Sequence, residues 1–426
     1  MAAAALLAAL AAALLALAGP APAHAAGEGK AAPDVDAAAW LVIDPRDGFR
    51  LAAHSPASQR SIASTTKLMT AYLALQELPL DKKLKVPPYS PAPAESVAGL
   101  ITGEKLTVRD LITAMMLPSA NDAAATIAVG VAGSEGAFVG EMNRAAKGLG
   151  LDDTSYSNPI GLDEIGNYSS AEDLLKLTEV LMSDKRFRRI VGQPEAELNS
   201  GAMPRTVVTR NTLMLSDPTV DGVKTGHTID AGYVLVASAK RKGVPLLSVV
   251  LGAPSEAARD EVSEQLLDYG FSRYAPRAPF AARDQLVAAE VRYSDDPLAL
   301  IAAREVGARV RPDQSFDTVV DAPDEVEGPI EEGQRLGQVT VLLDGKSIGR
   351  APLIAAEAIA APTLVDKIGG PGVLIAIVLV AIVILLLVVW VIRRRGGSRK
   401  GRSAEERLRG VEERNRRRDL REGENG

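Results

Sequence analysis

The sequence predicts a mixed α/β (α+β) protein: an antiparallel sheet flanked by helices, then a small all-β domain, then one C-terminal transmembrane helix. Three observations carry this reading. Strand-like runs open and close the region 37–275, while helical periodicity fills its middle. Residues 285–361 are rich in Val, Leu and turn signals. Residues 373–392 (VLIAIVLVAIVILLLVVWVI) carry no charge over a length sufficient to cross a bilayer.

Residues 1–25 are apolar and end in Ala23-His24-Ala25, a small-x-small cleavage pattern, so a signal peptide is expected there. An exposed arm follows over 27–38. Residues 39–43 and 49–54 read as strands joined by Asp44-Pro45-Arg46-Asp47-Gly48, an antiparallel hairpin with turn chemistry at its tip. Residues 61–78 read as one largely buried helix, with Leu68, Met69, Tyr72, Leu73 and Leu75 at helical spacing. After an irregular proline-rich stretch from Pro87 to Pro93, helices are expected over 108–117, 121–131 and 135–149. A second strand block follows at 223–226, 232–240 and 244–252, closed by a helix over 257–269. Residues 273–283 form a Pro/Arg linker. In the β domain the turn signals include Glu332-Gly333 and Leu343-Asp344-Gly345-Lys346, with a strand over 337–343. That domain holds no cluster of catalytic residue types and reads as a spacer or docking module.

Charge sets the topology. The net charge is −6. Residues 393–426 hold thirteen Lys/Arg against seven Asp/Glu, a net of +6 that leaves −12 for everything before them. A basic flank after a span stays on the cytoplasmic side, so the acidic bulk is expected outside, in agreement with the export signal. The expected location is the cell membrane, single-pass, with an extracytoplasmic catalytic domain and a cytoplasmic tail. The overall balance gives no case for a nucleic-acid partner. With no cysteine, a disulfide, a zinc-thiolate site and a cysteine nucleophile are excluded. A Ser-His-Asp triad would need one of three histidines, His24, His54 or His227, and His24 leaves with the signal peptide.

Three short motifs bear on chemistry. Ser64-Thr65-Thr66-Lys67 places an amine one helical turn from a hydroxyl. A serine is a weak nucleophile until a base takes its proton. Lys67 sits inside an apolar run, where a charged amine is costly without a purpose. Ser64 lies near a helix start, where free N–H groups favour developing negative charge. The second motif, Ser119-Ala120-Asn121, precedes an alanine-rich helix, and Asn121 and Asp122 there can equally be capping residues. The third, Lys224-Thr225-Gly226-His227, ends a strand. Gly226 permits close backbone approach and Lys224 with Thr225 can hold a carboxylate, although a simple strand-end turn would read the same. Their order, 64 then 119 then 224, is far more specific than any one of them, and it is a known signature of penicillin-interacting serine enzymes.

On these motifs the chain closely resembles the low-molecular-mass penicillin-binding proteins, the serine D-alanyl-D-alanine carboxypeptidases, over roughly residues 37–361. Further matching stretches are Thr107-Val108-Arg109-Asp110-Leu111, Asn158-Pro159 with Gly161-Leu162, Tyr168-Ser169-Ser170-Ala171-Glu172-Asp173-Leu174 and Leu266-Leu267-Asp268-Tyr269-Gly270-Phe271. The resemblance implies a penicillin-binding/β-lactamase-like transpeptidase fold over 37–275. It implies removal of the terminal D-alanine from peptidoglycan stem peptides ending in D-Ala-D-Ala, covalent inhibition by β-lactam antibiotics, and no metal or organic cofactor. Ser64 would be acylated, with Lys67 as general base and Ser119 as proton relay. Asn121 would hold the substrate amide, and Lys224 and Thr225 the terminal carboxylate. The N–H groups of Ser64 and His227 would form the oxyanion hole, with Gly226 beside them, and Arg259 would support carboxylate recognition. Many relatives lie on the membrane with an amphipathic helix, whereas this chain has a full span.

Three alternatives share parts of this pattern. A β-lactamase needs a deacylating carboxylate, and Glu195-Ala196-Glu197-Leu198-Asn199 resembles such a loop. Glu197 falls 78 positions after Ser119 and 27 before Lys224, the wrong placement for that enzyme. A D,D-endopeptidase is chemically adjacent. A non-enzymatic β-lactam sensor would signal through the tail, which lacks apolar periodicity.

Overall fold

A computed structural model describes residues 31–422, apart from the side chains of residues 395–405 and 418–422. The expected signal peptide over 1–25 and the last residues of the tail lie outside the described residues. The chain divides into two compact units. The first runs to Arg277 and includes the segment Arg309–Gln314; the second holds Ala278–Ala308 and the chain from Ser315 onward.

The first unit is built on a five-stranded antiparallel sheet. Its strands are β1 (Ala39–Asp44), β2 (Phe49–His54), β3 (Val220–Thr228), β4 (Gly232–Arg241) and β5 (Val244–Ala253), in the order β2-β1-β5-β4-β3. Side chains alternate across a strand, so β1 feeds two cores at once. Ala39, Leu41 and Ile43 join one; Trp40 and Val42 join the other. The first core is completed by helices α1 (Lys67–Glu77), α2 (Val108–Met116), α3 (Asn121–Ala132), α4 (Glu135–Gly148) and α5 (Ala171–Ser183), through residues such as Leu68, Leu111, Ile127, Phe138 and Leu174. The second is closed by Val262, Leu266 and Leu267 of α6 (Glu256–Ser272). The expected α+β arrangement is therefore observed, with apolar helix faces covering both sides of the sheet. Strand β3 lies at the sheet edge, with one row of its backbone groups unclaimed by a neighbouring strand.

Several local features refine or add to the sequence-based expectation. The helix expected over 61–78 is α-helical only from Lys67; Ala63–Thr66 is a 3₁₀ turn. Ala63 has φ +47°, outside the helical region, so a continuous helix cannot pass through it. Helix α5 was not expected, although its signal is present: the Ser170 side chain accepts from Asp173 N, and Leu174, Leu177 and Leu181 form a buried stripe. The Glu195–Leu198 segment is a strand paired with Arg205–Val208, and Glu197 is exposed and bonded to Thr206. That removes the resemblance to a β-lactamase loop.

The second unit carries a six-stranded sheet of β6 (Gln285–Val291), β7 (Leu298–Ala302), β8 (Phe316–Asp321), β9 (Glu325–Val326), β10 (Arg335–Leu343) and β11 (Lys346–Ala355), in the order β8-β10-β11-β7-β6-β9. Pairing is antiparallel except between β6 and β9. Leu298, Leu300, Val339, Val341 and Leu353 form its core. The Asp344-Gly345 turn has positive φ at both residues, the twist that a two-residue hairpin needs. Helix α7 (Gly370–Glu422) follows. Its first part, Gly370–Arg394, contains an 18-residue stretch of mean hydropathy 3.6 with its side chains unburied, and among the described residues it is the one helix that alone is long and apolar enough to cross a membrane. The basic flank does not leave the helix; it continues the same rod.

Candidate active site

The Ser64–Lys67 pair sits where the 3₁₀ turn meets α1. Lys67 Nζ lies 2.9 Å from Ser64 Oγ and donates to the Ile160 carbonyl at 2.5 Å. Lys67 is fully buried. Burial pushes its pKa from 10.5 down to about 7; Glu95 opposes this and Arg210 adds to it. A shift of that size moves the balance toward the neutral amine by roughly 5 kcal/mol relative to a lysine in water. Neutral, the amine keeps two N–H groups and one lone pair. The Ile160 carbonyl occupies one N–H, which helps orient the lone pair for the Ser64 hydroxyl.

The segment that supplies this carbonyl is itself held rigidly. Asn158 Oδ1 accepts from Gly161 N at 2.7 Å, and Thr70 Oγ1 donates to Pro159 O at 2.7 Å. Gly161 has φ +89°, and a Cβ on it would lie 2.0 Å from the Ala63 carbonyl oxygen. No other residue fits there, so the Asn158-Pro159 and Gly161-Leu162 pattern is a pad beneath the serine turn. The opposite side of that turn is met by β3. A Cβ on Gly226 would lie 3.0 Å from Ala63 Cβ and 3.1 Å from Ser64 N. The third motif therefore abuts the first.

Along β3, Lys224 and Thr225 are buried, and Lys224 Nζ donates to the Thr225 carbonyl at 2.9 Å. Burial holds the Lys224 pKa well below the lysine range, helped by Lys67, Arg210 and Arg259. A lysine held in this way is not a permanently charged anchor. His227, next to Gly226, is exposed and its ring stacks on Tyr233 at 4.0 Å. Arg259, buried on α6, donates to Thr212 Oγ1 at 2.9 Å and pairs with Asp260 at 2.7 Å and Glu256 at 3.2 Å.

Ser119 lies between α2 and α3 with φ +67°, a conformation that costs a non-glycine residue about 1–2 kcal/mol. Its hydroxyl is buried and has no hydrogen-bond partner among the described residues. Such a group is expensive unless something else binds it. The alternative reading of Asn121 and Asp122 as caps does not hold. Ala120 occupies the cap position without a side-chain bond, and Asn121 Nδ2 instead donates to Glu95 Oε2 at 2.8 Å. Asp122 reaches Ala98 N and Leu100 N at 3.0 and 2.9 Å.

Glu95, Arg210 and the Ile160 carbonyl are site groups that sequence reasoning missed. Neither side chain belongs to a motif, and a backbone carbonyl has no sequence signature. Together the groups offer a hydroxyl with a base in place, an edge strand beside it and a cluster of cations. That arrangement suits acyl transfer from an anionic peptide.

Comparison with known proteins agrees in extent. The family model described as D-alanyl-D-alanine carboxypeptidase matches residues 26–255, and that of the penicillin-binding protein 5 C-terminal domain matches residues 274–361. The chain is 35% identical over 353 residues to D-alanyl-D-alanine carboxypeptidase DacC of Escherichia coli (strain K12), covering 79% of this chain and 87% of the relative. It is 31% identical over 328 residues to DacF of Bacillus subtilis (strain 168), covering 74% and 84%. Among solved structures, penicillin binding protein 5 from Haemophilus influenzae aligns with a TM-score of 0.54 at 27% identity, over 78% of this chain and 100% of that one. The Streptomyces K15 DD-transpeptidase aligns with a TM-score of 0.54 at 32% identity, over 57% and 100%.

Proposed function

The chain belongs to the D-alanyl-D-alanine carboxypeptidase family of serine peptidases, and on that premise we propose that Ser64 is the nucleophile that releases the terminal D-alanine from peptidoglycan stem peptides. The observation that carries this is the buried Lys67 amine, with a pKa near 7, at 2.9 Å from Ser64 Oγ.

Neutral Lys67 takes the Ser64 proton as Oγ attacks the carbonyl carbon of the penultimate D-alanine. The resulting oxyanion is held by the backbone N–H groups of Ser64 and His227, each worth ~3–4 kcal/mol in other enzymes. Ser119 passes a proton from Lys67 to the departing nitrogen. The C–N bond breaks, D-alanine leaves, and water then cleaves the ester and restores Ser64. Asn121 holds the substrate amide. A β-lactam acylates the same serine, but its leaving nitrogen stays tethered by the ring, so the adduct persists.

The terminal carboxylate binds Thr225 and Lys224, with Arg259 in support. Lys224 is pushed toward neutrality by burial and by neighbouring cations, so an incoming carboxylate supplies the missing negative charge and favours its protonation. Arg259→Ala should slow D-alanine release from a free-acid peptide by roughly tenfold, the low end of one charged hydrogen bond, because Asp260 already takes part of the Arg259 charge. A C-terminally amidated peptide should respond much less. Equal loss on both peptides would make Arg259 structural.

The apolar segment Gly370–Arg394 is assigned as a membrane anchor, with the tail cytoplasmic and the catalytic region, residues 37–275, outside. The β domain over 285–361 serves as spacer or docking module. A chain ending at Lys367 should be soluble and still bind penicillin. Sedimentation with membranes after a salt wash would show that another part of the chain is an anchor.

A further inference from the structure

The side chain of Asn121 is gripped by a residue outside the three motifs. Glu95 stands on the irregular loop that follows the proline-rich stretch. Its Oε2 accepts from Asn121 Nδ2 at 2.8 Å and from the Tyr89 hydroxyl, and its Oε1 accepts from Ala92 N at 2.9 Å. The same loop is stitched to the start of α3 by Asn121 N donating to Ser96 O at 2.7 Å and by the two Asp122 bonds. Burial raises the Glu95 pKa, but the bonds from Tyr89, Ala92 and Asn121 outweigh it, and the carboxylate stays ionised.

An ionised carboxylate accepts hydrogen bonds and cannot donate them. It therefore admits only one orientation of the Asn121 amide: NH₂ toward Glu95, and Oδ1 away from it. We propose that Glu95 is a positioning residue, which turns Asn121 Oδ1 toward the amide N–H of the substrate and supplies a negative charge among the cations around Lys67. The proposal rests on Ser64 as nucleophile and Asn121 as holder of the substrate amide.

The charged and polar groups that face Lys67 are Ser64 and the Ile160 carbonyl at contact, Glu95 from the loop, Arg210 from the segment before Thr212, and Lys224 from β3. Of these, Glu95 is the acid. Removing its charge lowers the proton affinity of Lys67, so the acidic limb of the acylation rate, which marks the loss of neutral Lys67, moves to lower pH.

Glu95→Gln tests this, because glutamine preserves shape and an acceptor while losing the charge and the one-way hydrogen-bonding rule. In the full-length protein in detergent, acylation by a chromogenic cephalosporin and D-alanine release from a D-Ala-D-Ala peptide are measured against pH. The expected result is both rates roughly tenfold lower at their optimum, about one hydrogen bond to a charged group, with the acidic limb displaced to lower pH. Wild-type rates with an unmoved limb overturn the proposal. So do lower rates with an unmoved limb, since a merely loosened loop would produce that. A wild-type protein that releases no D-alanine would instead refute the reading of the site on which the proposal depends.

Discussion

Replacing Lys67 with arginine will slow acylation of Ser64 by roughly 10²–10⁴-fold, whereas replacing Lys224 with arginine will cost much less. The two lysines are chemically alike and both buried, but their tasks differ. In the proposed mechanism Lys67 acts by losing a proton, and burial brings that event to about pH 7. Arginine does not deprotonate in proteins, so Lys67→Arg keeps a cation where a lone pair is required. General-base catalysis contributes roughly 10²–10⁴-fold, and a loss of that order is expected. In the same proposal Lys224 acts as a cation once the substrate carboxylate is bound, a task that arginine can perform in part. Wild-type acylation should rise with pH through about 7 as Lys67 deprotonates. Rates of β-lactam adduct formation in both variants, alongside thermal melts to control for the larger side chain, provide the check. Equal loss in both would contradict the assignment of roles.

What the sequence made legible in the site is what is local. Ser64 and Lys67 are three positions apart, and one turn of helix guarantees that they can meet. Gly226 announces a close approach, and the structure brings it against Ala63 and Ser64 N. The groups that tune this pair were hidden. The Ile160 carbonyl lies 93 positions from Lys67, and Glu95 lies 26 positions from Asn121. Both contacts depend on how loops pack, which no residue pattern encodes. Asn121 shows the limit most clearly. Next to a helix start an asparagine reads as a cap, but Ala120 takes that position and the amide serves Glu95.

The fold was legible for a similar reason. β1 is apolar at every position from Ala39 to Ile43, and the structure buries both of its faces. The Asp44–Gly48 turn closes as its residue types require, with Gly48 N donating to Asp44 O at 2.9 Å. The break between the serine turn and α1 was not legible. Periodicity reports which side chains share a face, and it is silent about the positive φ of Ala63, which is set where Gly161 and Gly226 press on the turn. The depth of Asp44 was also hidden. It looks like an exposed turn residue, yet it is fully buried, with Tyr274 and Arg311 donating to it at 2.6 and 2.9 Å. Those partners come from far along the chain.

Ser64→Ala will eliminate D-alanine release while leaving the fold intact. The hydroxyl is small and removing it opens little space, so stability should change by less than about 1.5 kcal/mol. Chemistry, by contrast, loses its only attacking atom. Removal of a catalytic serine typically costs more than about 10³-fold in turnover. The decisive measurement is free D-alanine released from a pentapeptide ending in D-Ala-D-Ala, for wild type and Ser64→Ala, with the full chain in detergent. The account predicts steady release of one D-alanine per peptide by the wild type, and release by the variant indistinguishable from the no-enzyme control. Release by Ser64→Ala at the wild-type rate, or a wild type that forms a penicillin adduct yet frees no D-alanine, would contradict it.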